Sequence, residues 1–124
     1  MGLYDWDRMK AEEITELYQR KVAIGDSITL ARVEVKEGAV TLSHSHENEE
    51  MILVLKGSWR FHLPGGDVTL MPNQLLRIPP GIEHSSEALE DTLALDICAP
   101  ARTDWLNGAD RLLHYDPDQS LWAV

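Results

Sequence analysis

From about Tyr18 to Ala99 the hydrophobic residues fall in short runs, separated by turn-forming groups at Gly25-Asp26, Lys36 to Gly38, Lys56-Gly57, Pro64 to Gly66, Met71 to Asn73 and Pro79 to Gly81. Turns at that frequency leave no room for crossover helices, so the pattern predicts an all-β sandwich or barrel. Between Met51 and Leu63 the Lys56-Gly57 turn divides MILVL from SWRFHL, in which Trp59, Phe61 and Leu63 alternate with Ser58, Arg60 and His62. That period of two predicts a hairpin with one apolar face. In TLALDIC, Leu93, Leu95 and Ile97 alternate with Thr92, Ala94, Asp96 and Cys98, which gives a strand with one apolar face and one small or polar face. Helix is expected only at Asp7 to Leu17. The tail from Ala101 to Val124 carries Trp105, Leu112, Leu113, Leu121 and Trp122 and is too apolar for a disordered end. It is expected to pack along the outside of the barrel or onto a second subunit.

Composition narrows the classes of partner. A chain of 124 residues is the usual size of one domain, so residues 1–124 are read as a single domain. The formal net charge of -10, from 11 basic and 21 acidic residues, repels phosphate backbones and anionic membrane surfaces, and no basic cluster offsets it. Neither nucleic acid nor membrane is expected as a partner. The single cysteine, Cys98, forms no internal disulfide, the start MGLYDWDRMK lacks the pattern of a secretion signal, and no run of about 18 apolar residues occurs. A soluble, cytoplasmic protein is the expectation.

The chemistry concentrates in GAVTLSHSHENEEMILVLKG, Gly38 to Gly57. His44 and His46 stand two apart, so on an extended segment both imidazoles leave the same face as a chelating pair. Glu50 follows as the next apolar run begins, and His84 comes after the turn in PPGIEH. Three neutral nitrogens and one carboxylate suit one divalent transition metal per chain, Zn, Ni, Fe, Mn or Co, without favouring any of them. The alternative on spacing alone is a solvated loop whose histidines serve solubility.

The spacing of Gly38, His44, His46, Glu50 and Gly57 reproduces the first motif of the cupins at every position, and Pro79, Gly81 and His84 match the second. The chain therefore resembles a small single-domain cupin over roughly Leu30 to Pro100, which implies a double-stranded β-helix, or jelly-roll barrel, with short extensions at both ends. The resemblance also implies metal binding at His44, His46, Glu50 and His84. Asn73 stands where the second motif opens with Gly, and Asn tolerates positive φ better than other non-glycine residues. Ala88 stands where that motif ends with Asn.

Asp96 and Cys98 share a side of their strand; if that side lines the barrel mouth, Asp96 is a candidate general acid or base, and Arg102 can grip a substrate carboxylate. If the apolar side turns inward instead, both are solvated surface groups. The array Asp96, Pro100, Arg102, Asp104 is similar to the end of the barrel in the cupins of pectin and alginate breakdown that linearise 4,5-unsaturated uronates to a keto acid. That resemblance implies catalytic roles for Asp96 and Arg102 and a small, acidic substrate. Cys98 replaces an aromatic residue of that group, and Glu50 replaces a Gln. An Fe- or Ni-dependent dioxygenase and a metal-containing sensor or sugar-binding module without turnover are the competing readings.

Among the remaining residues, His62 and His114 are expected at the surface, Cys98 as a small buried residue, and Trp59, Phe61 and Trp122 as core or interface aromatics. Trp105, Leu121 and Trp122 look like surplus apolar area, and the expected assembly is a homodimer.

Overall fold

The computed structural model describes residues 1–106, 108–110, 113 and 114. Ten strands form two antiparallel sheets: β1 (Glu12–Thr15), β2 (Tyr18–Ile24), β3 (Thr29–Val35), β4 (Val40–His44), β5 (Glu49–Lys56), β6 (Trp59–Leu63), β7 (Gly66–Leu70), β8 (Leu75–Ile78), β9 (His84–Ala88) and β10 (Thr92–Ala99). One sheet has six strands in the order β1-β2-β3-β10-β5-β8, and the other four in the order β4-β9-β6-β7. This is the all-β architecture expected from the turn pattern and the jelly roll implied by the resemblance to cupins, and the expected turns fall between consecutive strands or at their ends. Asn73 has φ 71, the conformation its replacement of glycine requires.

The core lies between the inner faces, where the period of two sorts residues by burial. On β3, Thr29, Ala31, Val33 and Val35 are buried while Glu34 is exposed; on β5, Glu50, Ile52 and Val54 are buried and Leu55 is exposed. Trp59 and Phe61 of β6 stack in the core with ring centroids 4.9 Å apart. On β10 it is Thr92, Ala94, Asp96 and Cys98 that turn inward, whereas Leu93, Leu95 and Ile97 lie half-buried on the outer surface. The small, polar face is the inner one, so Asp96 is buried among the sheets.

Three expectations need correction. Asp7 to Leu17 does not form an α-helix: a 3-10 turn at Trp6–Arg8, capped by Asp5 Oδ1 accepting from the Asp7 amide at 3.0 Å, leads into β1. Edge pairing with β2, Glu12 opposite Arg20, and the contact of Ile14 with the core outweigh the weak helical preference of the segment. The Met51 to Leu63 stretch is not a hairpin either, because β5 pairs with β10 and β8 while β6 pairs with β7 and β9. Gly57, at φ +98, turns the chain from one sheet into the other, and a Cβ there would stand 2.3 Å from the Asp91 carbonyl oxygen. The hairpin of this region is β6 with β7.

The third correction concerns the described residues of the segment after β10, several of which line the interior cavity rather than the barrel's outside. A short helix, α1 (Thr103–Leu106), buries Trp105, and beyond it Asp110 and His114 are buried as well. Leu112, Leu121 and Trp122 lie outside the described residues. No helix among the described residues is long and apolar enough to cross a membrane.

Candidate metal centre

Strand register brings the histidines together. His44, the last residue of β4, pairs directly with His84, the first of β9, and their rings are 4.4 Å apart. His46 lies just past β4 with its ring 5.0 Å from that of His84. The Gly81 amide donates to the His46 carbonyl at 2.8 Å, so the PPG turn before β9 is fastened to the loop that carries His46. Glu50 arrives from the opposite sheet, on the inner face of β5.

Each imidazole donates its Nδ1 hydrogen to a backbone carbonyl two residues away: His44 to Leu42 at 2.8 Å, His46 to Asn48 at 3.0 Å and His84 to Ile82 at 2.8 Å. A carbonyl can only accept, so all three rings are fixed as the tautomer whose Nε2 carries a free lone pair. One ligand atom from each of the three rings lies within 4.8 Å of the others. Glu50 Oε1 sits 3.3 Å from His46 Nε2 and 3.2 Å from His84 Nε2. The buried His46 Nε2 and Glu50 Oε1 have no hydrogen-bond partner. Buried polar atoms are almost always satisfied, and a metal ion accounts for this convergence of unpartnered ones. The donor set fits a divalent transition metal.

Burial keeps His44 neutral in the absence of metal, its pKa lowered to about 4. For His84 burial pulls the same way, but the Glu50 carboxylate beside its Nε2 outweighs it and raises the pKa. Burial alone would raise Glu50, yet the nearby imidazoles of His46 and His84, together with Asp96, hold it well below the usual carboxylate range. Asp96 moves in the opposite direction, pushed up by burial and by the charge of Glu50. The two buried carboxyls are thus driven in opposite directions. The register explains their meeting. Glu50 pairs with Cys98 across β5 and β10, and Asp96 lies two residues before Cys98 on the same inward face.

Arg102 lines the same cavity as His44, Glu50 and His84, at 4% exposure. Its Nε and Nη2 donate to the two carboxylate oxygens of Asp104 at 2.7 and 2.5 Å, and its guanidinium lies 4.9 Å from the centroid of the Trp105 ring. Only the remaining edge of the fork is left for a ligand. Of the six residues singled out by the sequence, His44, Glu50, His84 and Arg102 line one cavity, while His46 stands with the other two histidines and Asp96 is buried next to Glu50. Cys98 is fully buried, as expected of a small core residue, and burial raises its thiol pKa. His62 is at the surface as expected, 2.7 Å from Asp67.

His114 departs from expectation. It is 6% exposed, donates from Nε2 to Asp110 Oδ2 over 2.9 Å, accepts at Nδ1 from the Thr41 hydroxyl over 3.3 Å, and packs its ring 4.2 Å from that of Tyr18. Tyr18, Trp105 and Asp110 line the cavity too, and sequence reasoning passed over them in this role. One signal was present. Arg20 falls in phase with Tyr18 and Val22, so a cation sits at an inward position of β2 and needs a buried acidic partner.

A cupin-domain family model matches residues 31–98. No curated protein sequence matches the chain. Among solved structures, KdgF from Halomonas sp. superposes with a TM-score of 0.78 at 27% identity, covering 84% of this chain and 99% of its own. The polyketide cyclase RemF from Streptomyces resistomycificus gives a TM-score of 0.70 at 27% identity, covering 82% of this chain and 80% of its own. Ectoine synthase from P. lautus shares the fold, with a TM-score of 0.78 at 15% identity over 100% of this chain and 99% of its own.

Proposed function

Because the chain belongs to the cupin family, we propose that it is a metal-dependent enzyme that isomerises a small sugar acid, a 4,5-unsaturated uronate being the substrate that best suits its residues. The observation that carries this reading is that Arg102 lines the cavity of the His44, Glu50 and His84 donors while Asp96 is buried next to Glu50. The resemblance of the Asp96, Pro100, Arg102, Asp104 array to uronate-linearising cupins supports it, as does the likeness to KdgF.

His44, His46, Glu50 and His84 would hold the metal, which when bound supplies Lewis-acid polarisation of a substrate oxygen. Arg102 pairs with the substrate carboxylate through the edge of its fork that Asp104 leaves free. Asp96 moves the proton. It protonates the ring carbon that becomes a methylene group and recovers a proton from the hydroxyl on the carbon that becomes an aldehyde, so the ring opens with no net gain or loss. Burial of the site excludes water from these steps.

The test is a metal-loaded sample given unsaturated galacturonate, with loss of the ultraviolet absorbance of the conjugated double bond as the readout. Turnover that persists without oxygen and with Zn or Ni in place of Fe supports the isomerase. Turnover only with oxygen supports a dioxygenase, and tight binding without product supports a binding module.

The partner in this reading is a second copy of the chain. Leu95 pairs across with Leu53 and Leu53 with Leu75, while the next row holds Leu30, Ile97 and Met51, giving a continuous apolar patch on the outer face of the six-stranded sheet. Leu55 and Leu75 of this face are 40% and 55% exposed. Two internally neutral pairs flank it, Arg32 with Glu34 at 2.7 Å and Arg77 with Glu49 at 2.6 Å. In a chain of net charge -10 this is a face where a second copy meets no net repulsion. Trp105, expected on such a surface, is buried at 6% exposure instead.

A further inference from the structure

Beside three of the metal donors, the inner cavity is bordered by Tyr18, Thr41, Asp110 and His114, none of which the proposed chemistry uses. Its volume of about 30 Å³ admits a water molecule or a single hydroxyl group and no sugar ring. The hydrogens on this wall can be assigned. Burial would raise the Asp110 pKa, but His114 and the Arg20 guanidinium, bonded to both its oxygens at 2.6 and 3.0 Å, hold it down. Asp110 is therefore a carboxylate that can only accept, and the hydrogen in its 2.9 Å contact belongs to His114 Nε2. Burial lowers the His114 pKa, so the ring is neutral and its Nδ1 carries a lone pair. The Thr41 hydroxyl, 3.3 Å away, donates to it. With that hydrogen committed, Thr41 Oγ1 offers a ligand only lone pairs. Tyr18 has the opposite balance. It stands opposite Val35 on the inner face of β2, its ring 4.2 Å from that of His114. It is 4% exposed, and its hydroxyl has no hydrogen-bond partner among the described residues. Burial pushes the phenol pKa up, so the group keeps its hydrogen to donate. A buried donor without a partner is uncommon in a native fold.

We infer that Tyr18 and Thr41 form a hydroxyl-recognition subsite in the metal cavity: one hydroxyl of the ligand accepts from Tyr18 Oη and donates to Thr41 Oγ1. This rests on the sugar-acid reading and deepens it, because it requires a free hydroxyl besides the acid group. Only a group that is donor and acceptor at once satisfies both partners. A keto or carboxylate oxygen would set lone pairs against those of Thr41, an ammonium group would set hydrogens against that of Tyr18, and a deoxy ligand would leave both unmet. The volume suits the hydroxyl alone, while the half-buried His44 and His46 leave the metal side open to the rest of the molecule.

The experiment is calorimetric titration of the full chain, loaded with Zn, with 3-hydroxypropionate and with propionate, two acids that differ by one hydroxyl. Wild type is expected to bind the hydroxy acid tighter by about tenfold or more. Tyr18→Phe and Thr41→Val keep the side-chain shape and remove one partner each. Both are expected to bring the preference within about twofold and to leave propionate binding unchanged, which a general disturbance of the cavity would not do. A preference that survives in both variants assigns the hydroxyl to the metal or another group and overturns the subsite, as does a wild type without preference. His114→Phe keeps a ring beside Tyr18 but removes the acceptor, and an undiminished preference there overturns the hydrogen assignment on which the subsite rests. If wild type takes up no Zn or binds neither acid, the metal or the acid reading fails by itself. The subsite is then judged with glycerol, by saturation-transfer NMR on the same chains. Binding that Tyr18→Phe and Thr41→Val both lose supports it, and equal or absent binding overturns it.

Discussion

Glu50 and His84 meet across the two sheets, Oε1 to Nε2 at 3.2 Å, although one comes from β5 and the other from β9. Neither sheet alone holds the donor set, so metal binding depends on the closed barrel. Protein purified without added metal is expected to carry about one divalent transition metal per chain by elemental analysis. His46→Ala and His84→Ala should reduce this to less than about 0.1. Full occupancy in a His44→Ala/His46→Ala double variant would remove the site assignment.

Asp96 and Arg102 should separate in kinetics once a substrate is identified. Arg102→Lys keeps the charge but loses the planar fork that Asp104 and Trp105 hold, so KM should rise more than kcat falls. Asp96→Asn removes the proton carrier while leaving the metal donors in place, and kcat should fall by roughly 10² to 10⁴. Wild-type rates in both variants would exclude them from the chemistry.

Acid stability should report the Asp110 contacts. Burial would raise its pKa, but hydrogen bonds from His114 and Arg20 outweigh this and hold it below the ordinary value of 3.8. As pH falls, the unfolded chain takes up the proton first. The stabilisation is therefore full above 3.8 and is lost progressively below it. In urea titrations the Asp110→Asn variant should start from a lower midpoint at neutral pH and lose less between about pH 4 and pH 2 than wild type does. Parallel curves would show that Asp110 is not depressed.

The outer face of the six-stranded sheet should determine the oligomeric state. Light scattering is expected to give twice the mass of one chain at micromolar concentration. Leu53→Lys with Leu95→Lys places charges in the centre of the patch and should raise the dissociation constant by roughly 10²-fold or more. A wild-type monomer would refute the dimer.

Gly57 should tolerate no side chain. At φ +98, with the Asp91 carbonyl 2.3 Å and the Thr92 Cα 2.7 Å from a built Cβ, Gly57→Ala must shift backbone. A loss of about 3 kcal/mol or more by urea unfolding is expected. A change within about 0.5 kcal/mol would mean that the crossing between sheets is looser than described.

The sequence by itself determined the strands from Tyr18 onward, their turns and the candidate metal donors. Period-two alternation is a local property, and Gly, Pro and Asn mark turns through their own backbone preferences, so both can be read one segment at a time. The spacing of His44, His46, Glu50 and Gly57 carries information for the same reason: it ties donors to one strand, one loop and the next strand. Alternation does not say which face turns inward. That choice on β10 was decided by the register with β3 and β5, which places Asp96 beside Ala31 and Ile52 and so commits it to the core. Nor could local pattern distinguish a hairpin at Gly57 from a passage between sheets, since each needs only a turn, and the partners of β5 and β6 are far away in sequence. The buried pair of Arg20 and Asp110, 90 residues apart, and the burial of His114 were decided by tertiary structure alone. A charged or titratable side chain looks solvated until a distant partner offsets the cost of removing it from water, and that partner appears only when the chain closes over the cavity.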